Sequence, residues 1–100
     1  MQPEARISRA IQKRLKERGA FCFKVHGSEH MMAGLPDIIA CYRGLFVGFE
    51  VKTATGRVSD RQVYVHKQIK RADGEVHVVR SVDDAECVLD SIDEDLDSTS

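Results

Sequence analysis

Two carboxylates and a lysine, Asp37, Glu50 and Lys52, flank a short predicted hairpin at a spacing that places all three on one face of a sheet. The segment from Gly34 to Lys52 consists of two apolar runs around a Tyr42-Arg43-Gly44 turn. Counting outward from Arg43-Gly44 as a two-residue loop pairs Ile38 with Phe49, Ala40 with Val47 and Tyr42 with Leu45 on a wholly apolar face. The other face pairs Cys41 with Phe46, Ile39 with Gly48 and finally Asp37 with Glu50, and Lys52 projects from it two residues further on. Opposed like charges destabilise a sheet by roughly 0.2–1 kcal/mol, and their Cβ atoms lie about 4.5–5.5 Å apart. That is close enough for both carboxylates to hold one hard cation, and oxygen-only ligands select Mg²⁺ or Mn²⁺ over zinc. An isolated Asp and Glu at a strand end would simply reach solvent; the lysine beside them favours a site.

The elements that must position these groups are legible from periodicity. Pro3 and Glu4 open a helix that runs to about Arg18 and stops at Gly19, with Ile7, Ala10, Ile11 and Leu15 as its apolar stripe. Glu4 falls on that stripe; the helix dipole explains an acid in the first turn, and so does a place facing the core. Phe21–His26 alternates as a strand, and the hairpin follows. Beyond the polar connection Thr53–Arg57 a second helix is predicted from about Ser59 to Arg71, with Ser59 and Gln62 matching a capping box. Its buried stripe is Val65, Ile69 and Ala72, which Gln62 extends by one turn towards the sheet. Asp73-Gly74 leads into a strand, Glu75–Arg80, and Ser81 starts a last helix with Val82, Ala85, Val88, Leu89 and Ile92 on its apolar side. The order αβββαβα, with a helix between the third and fourth strands, predicts an α/β fold with a parallel crossover and a mixed four-stranded sheet flanked by helices.

One hundred residues with 42% hydrophobic content suit one compact domain, expected over residues 1–92. No run approaches a membrane span and the first residues do not form a signal peptide, so a cytoplasmic protein without membrane contact is expected. Cys22, Cys41 and Cys87 lack CxxC spacing and fall in apolar elements, which predicts buried free thiols. His26 and His30 lie in a glycine-containing loop, where a helical metal clamp is excluded. The net charge of −1 hides an asymmetry: residues 1–82 carry all 15 bases and 8 acids, net +7, while the last 18 residues carry 8 acids and no base. A basic body suits a polyanionic partner, and the acidic segment 93–100 is expected to be a disordered tail, solubilising or competing for the same surface.

Together these residues resemble the PD-(D/E)XK nuclease superfamily, and within it the stand-alone VRR-NUC domains of phage and bacteria. Pro36-Asp37 followed by Glu50-Val51-Lys52 looks like the superfamily pattern; Gly34-Leu35-Pro36-Asp37, Gln62 and Val78-Val79-Arg80-Ser81 look like the VRR-NUC pattern, with Ser81 where a second arginine is usual. The similarity extends from about Pro3 to Ala85. It implies a restriction-endonuclease-like αβββαβ core with an added C-terminal helix. It further implies metal ligation by Glu4, Asp37, Glu50 and the Val51 carbonyl, with Asp37, Glu50, Lys52 and Gln62 as the catalytic set.

The activity implied is metal-dependent hydrolysis of DNA phosphodiesters, with Mg²⁺ as cofactor and Mn²⁺ able to substitute. A homodimer cutting branched DNA such as a Holliday junction is expected in the cytoplasm of a bacterial or phage-infected cell. Lys24, Arg57, Arg61, Lys67, Lys70 and Arg71 are the candidate phosphate contacts; each alone is better explained as a solvated surface charge, and it is the +7 body that argues for some of them collectively. Met31, Met32 and Phe21 suit either a dimer contact or the core. The alternatives are a nicking or restriction-type nuclease acting with partners, and a non-catalytic DNA-binding accessory module.

Overall fold

The computed structural model describes residues 3–27 and 29–98. Its elements are α1 (Pro3–Glu17), β1 (Phe21–Lys24), β2 (Ile38–Tyr42), β3 (Leu45–Val51), α2 (Asp60–Arg71), β4 (Glu75–Val79) and α3 (Val82–Ser98). The four strands form one sheet in the order β1-β2-β3-β4. The first two pairings are antiparallel, and β3–β4, joined through α2, is parallel. Arg43 (φ 52°) and Gly44 (φ 86°) both take positive φ, the requirement of a type I′ turn, whose twist matches that of the strands it joins. The register is therefore the one counted from the sequence, Ile38 opposite Phe49 and Tyr42 opposite Leu45.

That register sorts the sheet into two unlike faces. Ile38, Ala40, Tyr42, Val47, Phe49 and Val51 are buried in one core with Ile11 and Leu15 of α1 and Ala85, Leu89 and Ile92 of α3. The opposite face is covered only over β3 and β4, where α2 lays Val65 and Ile69 near Gly34 and Gly74. It is bare over β1 and beside the β2–β3 turn, where Phe21 and Phe23 of β1, Cys41 of β2 and Phe46 at the start of β3 are exposed, Phe21 by 71%.

Three expectations are corrected here. The acidic segment is not a disordered tail over Asp93–Ser98, because α3 continues to Ser98; Thr99 and Ser100 lie outside the described residues. Asp93 accepts hydrogen bonds from the Tyr42 hydroxyl at 2.9 and 3.0 Å, from Arg18 at 3.0 Å and from Arg43 at 3.0 Å, and Asp97 accepts from Arg43 at 3.0 Å. Burial alone would raise the Asp93 carboxyl, but the bonds from Arg43, Tyr42 and Arg18 outweigh it and hold the group below its ordinary value. Composition registers only the excess of acid, whereas the i, i+4 spacing of Asp93 and Asp97 aims both at arginines from distant elements. Second, of the three free cysteines only Cys22 is buried; Cys41 and Cys87 are exposed, Cys41 because it stands on the uncovered face. Third, Ala72 caps α2 in the open, and His66 takes the buried place on that helix.

Candidate active site

Asp37 is delivered to the end of β2 by a loop built for close approach. Gly34 (φ 89°) lies under α2, and a Cβ there would come within 2.7 Å of the Arg61 carbonyl oxygen and 2.8 Å of Val65. Pro36 is buried and packs on Gly48, where a Cβ would sit 2.6 Å from the proline ring. The Asp37 carbonyl then accepts from Val25 N–H at 2.8 Å, extending the β1–β2 ladder, and its side-chain Oδ2 accepts from Val51 N–H at 2.8 Å. The Gly-x-Pro-Asp run is thus a packing device: each small or rigid residue removes an obstacle to pressing the aspartate against β3.

Glu50 is the chemical anomaly of the fold, a carboxylate with 0% exposure on the face covered by α2. Its Oε2 accepts from Gln62 Nε2 at 2.9 Å and lies 3.6 Å from Lys52 Nζ; its Oε1 lies 3.4 Å from His66 Nε2. Burial first, and the neighbouring Asp37 second, push the Glu50 carboxyl up to about 8, with Lys52 pulling the other way. Burial likewise lowers the His66 imidazole from its ordinary value.

Gln62 reconciles two readings. Its Oε1 accepts from Ser59 N–H at 2.9 Å while Ser59 Oγ accepts from Gln62 N–H at 3.1 Å, a complete capping box. The same side chain spends its amide nitrogen on Glu50. Cap and site contact are two ends of one amide.

The remaining predicted residues are placed as follows. Glu4 is exposed on the first turn of α1 and lines a cleft of about 240 Å³ with Ser8, Lys24, Asp37 and Val51. A neighbouring hollow of about 290 Å³ shares Asp37 and is lined by Met31, Met32 and Pro36; Met31 and Met32 are exposed, as is Phe21. Arg57, Lys67, Lys70 and Arg71 are exposed. Arg61 donates to the Ala33 carbonyl at 3.3 Å and lies over the Tyr64 ring, which ties it to the loop before Asp37. Arg80, from the Val-Val-Arg motif, donates to the carbonyls of Thr53 and Gly56 and so holds the connection between β3 and α2. His66 was not anticipated, although its position four residues after Gln62 and beside Val65 puts it on the stripe that faces the sheet.

The donor set fits a hard divalent cation. Two carboxylates are pressed together, one fully buried, and Glu50 Oε1 completes no hydrogen bond among the described residues. A positive ion near Asp37 and Glu50 would relieve both the repulsion and the orphaned oxygen. Among the described residues no three His, Cys, Asp or Glu side chains already converge on one point.

The archaeal Holliday junction resolvase (Hjc) family model matches residues 4–81. The chain belongs to this family. Among solved structures, a protein described as a VRR_NUC domain superposes with a TM-score of 0.77 at 22% identity, over 90% of this chain and 97% of that one. The Hjc Holliday junction resolvase of Archaeoglobus fulgidus superposes with a TM-score of 0.60 at 21% identity, over 77% of this chain and 67% of that one. No curated protein matches the sequence. The expected restriction-endonuclease-like α/β fold and the PD-(D/E)XK relationship both stand, and by family and fold this is a nuclease, a class that generally uses divalent metal ions. No described helix is long and apolar enough to cross a membrane.

Proposed function

We propose that this chain is a Mg²⁺-dependent, structure-selective DNA endonuclease, with Mn²⁺ able to substitute, that acts as a homodimer on Holliday junctions. The observation that carries the reading is Glu50: a fully buried acid beside Asp37 and Lys52 costs the fold stability, and such groups cluster where chemistry is done. Asp37 and Glu50, with Glu4 and the Val51 carbonyl at the cleft, are the residues that would hold the ion. Bound there, it supplies Lewis-acid activation of the phosphate and a lowered pKa for water.

The chain's own groups do the rest. Lys52 places an ammonium beside Glu50, where it steadies the negative charge that grows on the attacked phosphate and orients the attacking water. Gln62 holds Oε2 of Glu50 and so keeps that carboxylate from turning away. Lys24 lies in the cleft itself, and Arg57, Arg61, Lys67, Lys70 and Arg71 belong to α2 and its approach, where DNA phosphates would run past the site.

A junction resolver must cut two strands related by an approximate two-fold axis, and a C₂ dimer supplies two sites in that relation. The bare aromatic patch of Phe21, Phe23 and Phe46 beside edge strand β1 suits a self-complementary contact. We place the activity in the cytoplasm, where branched DNA is met. The test is incubation of the protein with labelled linear, flapped and four-way DNA in Mg²⁺, Mn²⁺ or EDTA, beside Asp37→Ala and Lys52→Ala. Paired incisions in four-way DNA, lost in EDTA and in both variants, are expected. Cleavage that survives Asp37→Ala would overturn the assignment; single unpaired nicks would favour a nicking nuclease, and binding without cleavage an accessory module.

A further inference from the structure

His66 is the one polar side chain of the buried α2 face that the catalytic set does not use. The residue is 7% exposed, and Nε2 of its imidazole lies 3.4 Å from Glu50 Oε1. Among the described residues neither atom completes a hydrogen bond. Two buried polar atoms facing each other in this way destabilise a fold, and an apolar side chain could fill the same space, as Val65 does beside it. Gln62, one turn earlier, reaches the other oxygen of the same carboxylate. α2 therefore presents two polar groups, four residues apart, to the two oxygens of Glu50, the spacing that stacks side chains on one helix face.

We infer that His66 is a positioning residue of the active site: its ring stands 3.4 Å from Oε1 of Glu50 while Gln62 hydrogen-bonds Oε2, and the two together fix the plane of the carboxylate relative to Asp37. The inference rests on the nuclease reading above and deepens it. Groups behind a metal-binding carboxylate set its orientation, and their loss typically weakens metal affinity about 10–100-fold.

The test compares wild type with His66→Phe and His66→Gln, and with His66→Leu should Phe be too large to fold. Three quantities are read: the melting temperature without metal, Mn²⁺ affinity by calorimetry, and cleavage of four-way DNA as separate kcat and KM. The apolar variant is expected to melt no lower than wild type yet to bind Mn²⁺ about 10–100-fold more weakly, with kcat reduced and KM for DNA unchanged. His66→Gln, whose amide can still reach Oε1, should recover part of the affinity. A folded apolar variant with wild-type Mn²⁺ affinity overturns the role of His66 while the nuclease reading stands. Wild type that binds Mn²⁺ but cuts no DNA overturns the nuclease reading and leaves the calorimetric comparison to judge His66; wild type that binds no Mn²⁺ overturns both.

Discussion

In metal-free protein, Glu50→Gln should make the fold more stable, and increasingly so as pH rises. Burial and Asp37 lift the Glu50 carboxyl from 4.5 to about 8. Between those values the native state keeps a proton that the unfolded chain gives up, so wild-type stability falls as pH rises through this window. The slope is at most about 1.4 kcal/mol per pH unit, which over the whole window gives a ceiling of about 5 kcal/mol. Relaxation around the charge and entry of water reduce this, and about 2–4 kcal/mol is the expected gain near pH 8. Glutamine is isosteric with the protonated acid, so below pH 4.5 the two proteins should be nearly equal. Titrating groups that do not face Glu50 are common to both and cancel, so the difference reports on Glu50 together with the neighbours coupled to it, Asp37 first. Urea unfolding followed by circular dichroism from pH 4 to 9 in EDTA measures that difference, and saturating Mg²⁺ should shrink it by stabilising only the wild type. A difference that stays flat between pH 4.5 and 8, or one that shrinks as pH rises, would refute the claim that a buried, acid-paired Glu50 is held at a cost to the fold.

Gln62→Ala should lower stability by about 0.5–2 kcal/mol through the lost cap and also lower turnover per folded molecule, since one amide serves Ser59 and Glu50; turnover unchanged at reduced stability would leave it a cap only. Ending the chain at Ile92 should lower the melting temperature, because the Tyr42 hydroxyl loses the Asp93 acceptor and Arg43 loses both its acids; an unchanged melting curve would mean that the segment contributes nothing to the fold. Phe21→Asp should shift light scattering from dimer to monomer and replace paired incisions in a cruciform plasmid by single nicks; a dimer that persists would place the interface elsewhere.

Local rules reached far into this protein. The period-two pattern on either side of Arg43-Gly44 determined the strand register, because a two-residue turn leaves no freedom in pairing and a slip by one residue would expose the core face. Asp37 and Glu50 follow from that register, and the Ser59–Gln62 capping box from spacing within one turn of helix. Tertiary structure decided what depends on elements distant in sequence. Which part of the second sheet face is covered follows from where α2 comes to rest, and that separates buried Glu50 and His66 from exposed Phe21 and Cys41. The state of the acidic segment was likewise settled across the fold: Asp93 and Asp97 read as solvated charge until Arg18, Tyr42 and Arg43 are brought beside them. Hydrophobic period and turn geometry are properties of neighbouring residues, whereas desolvation and ion pairing are properties of whatever the folded chain places within a few ångströms.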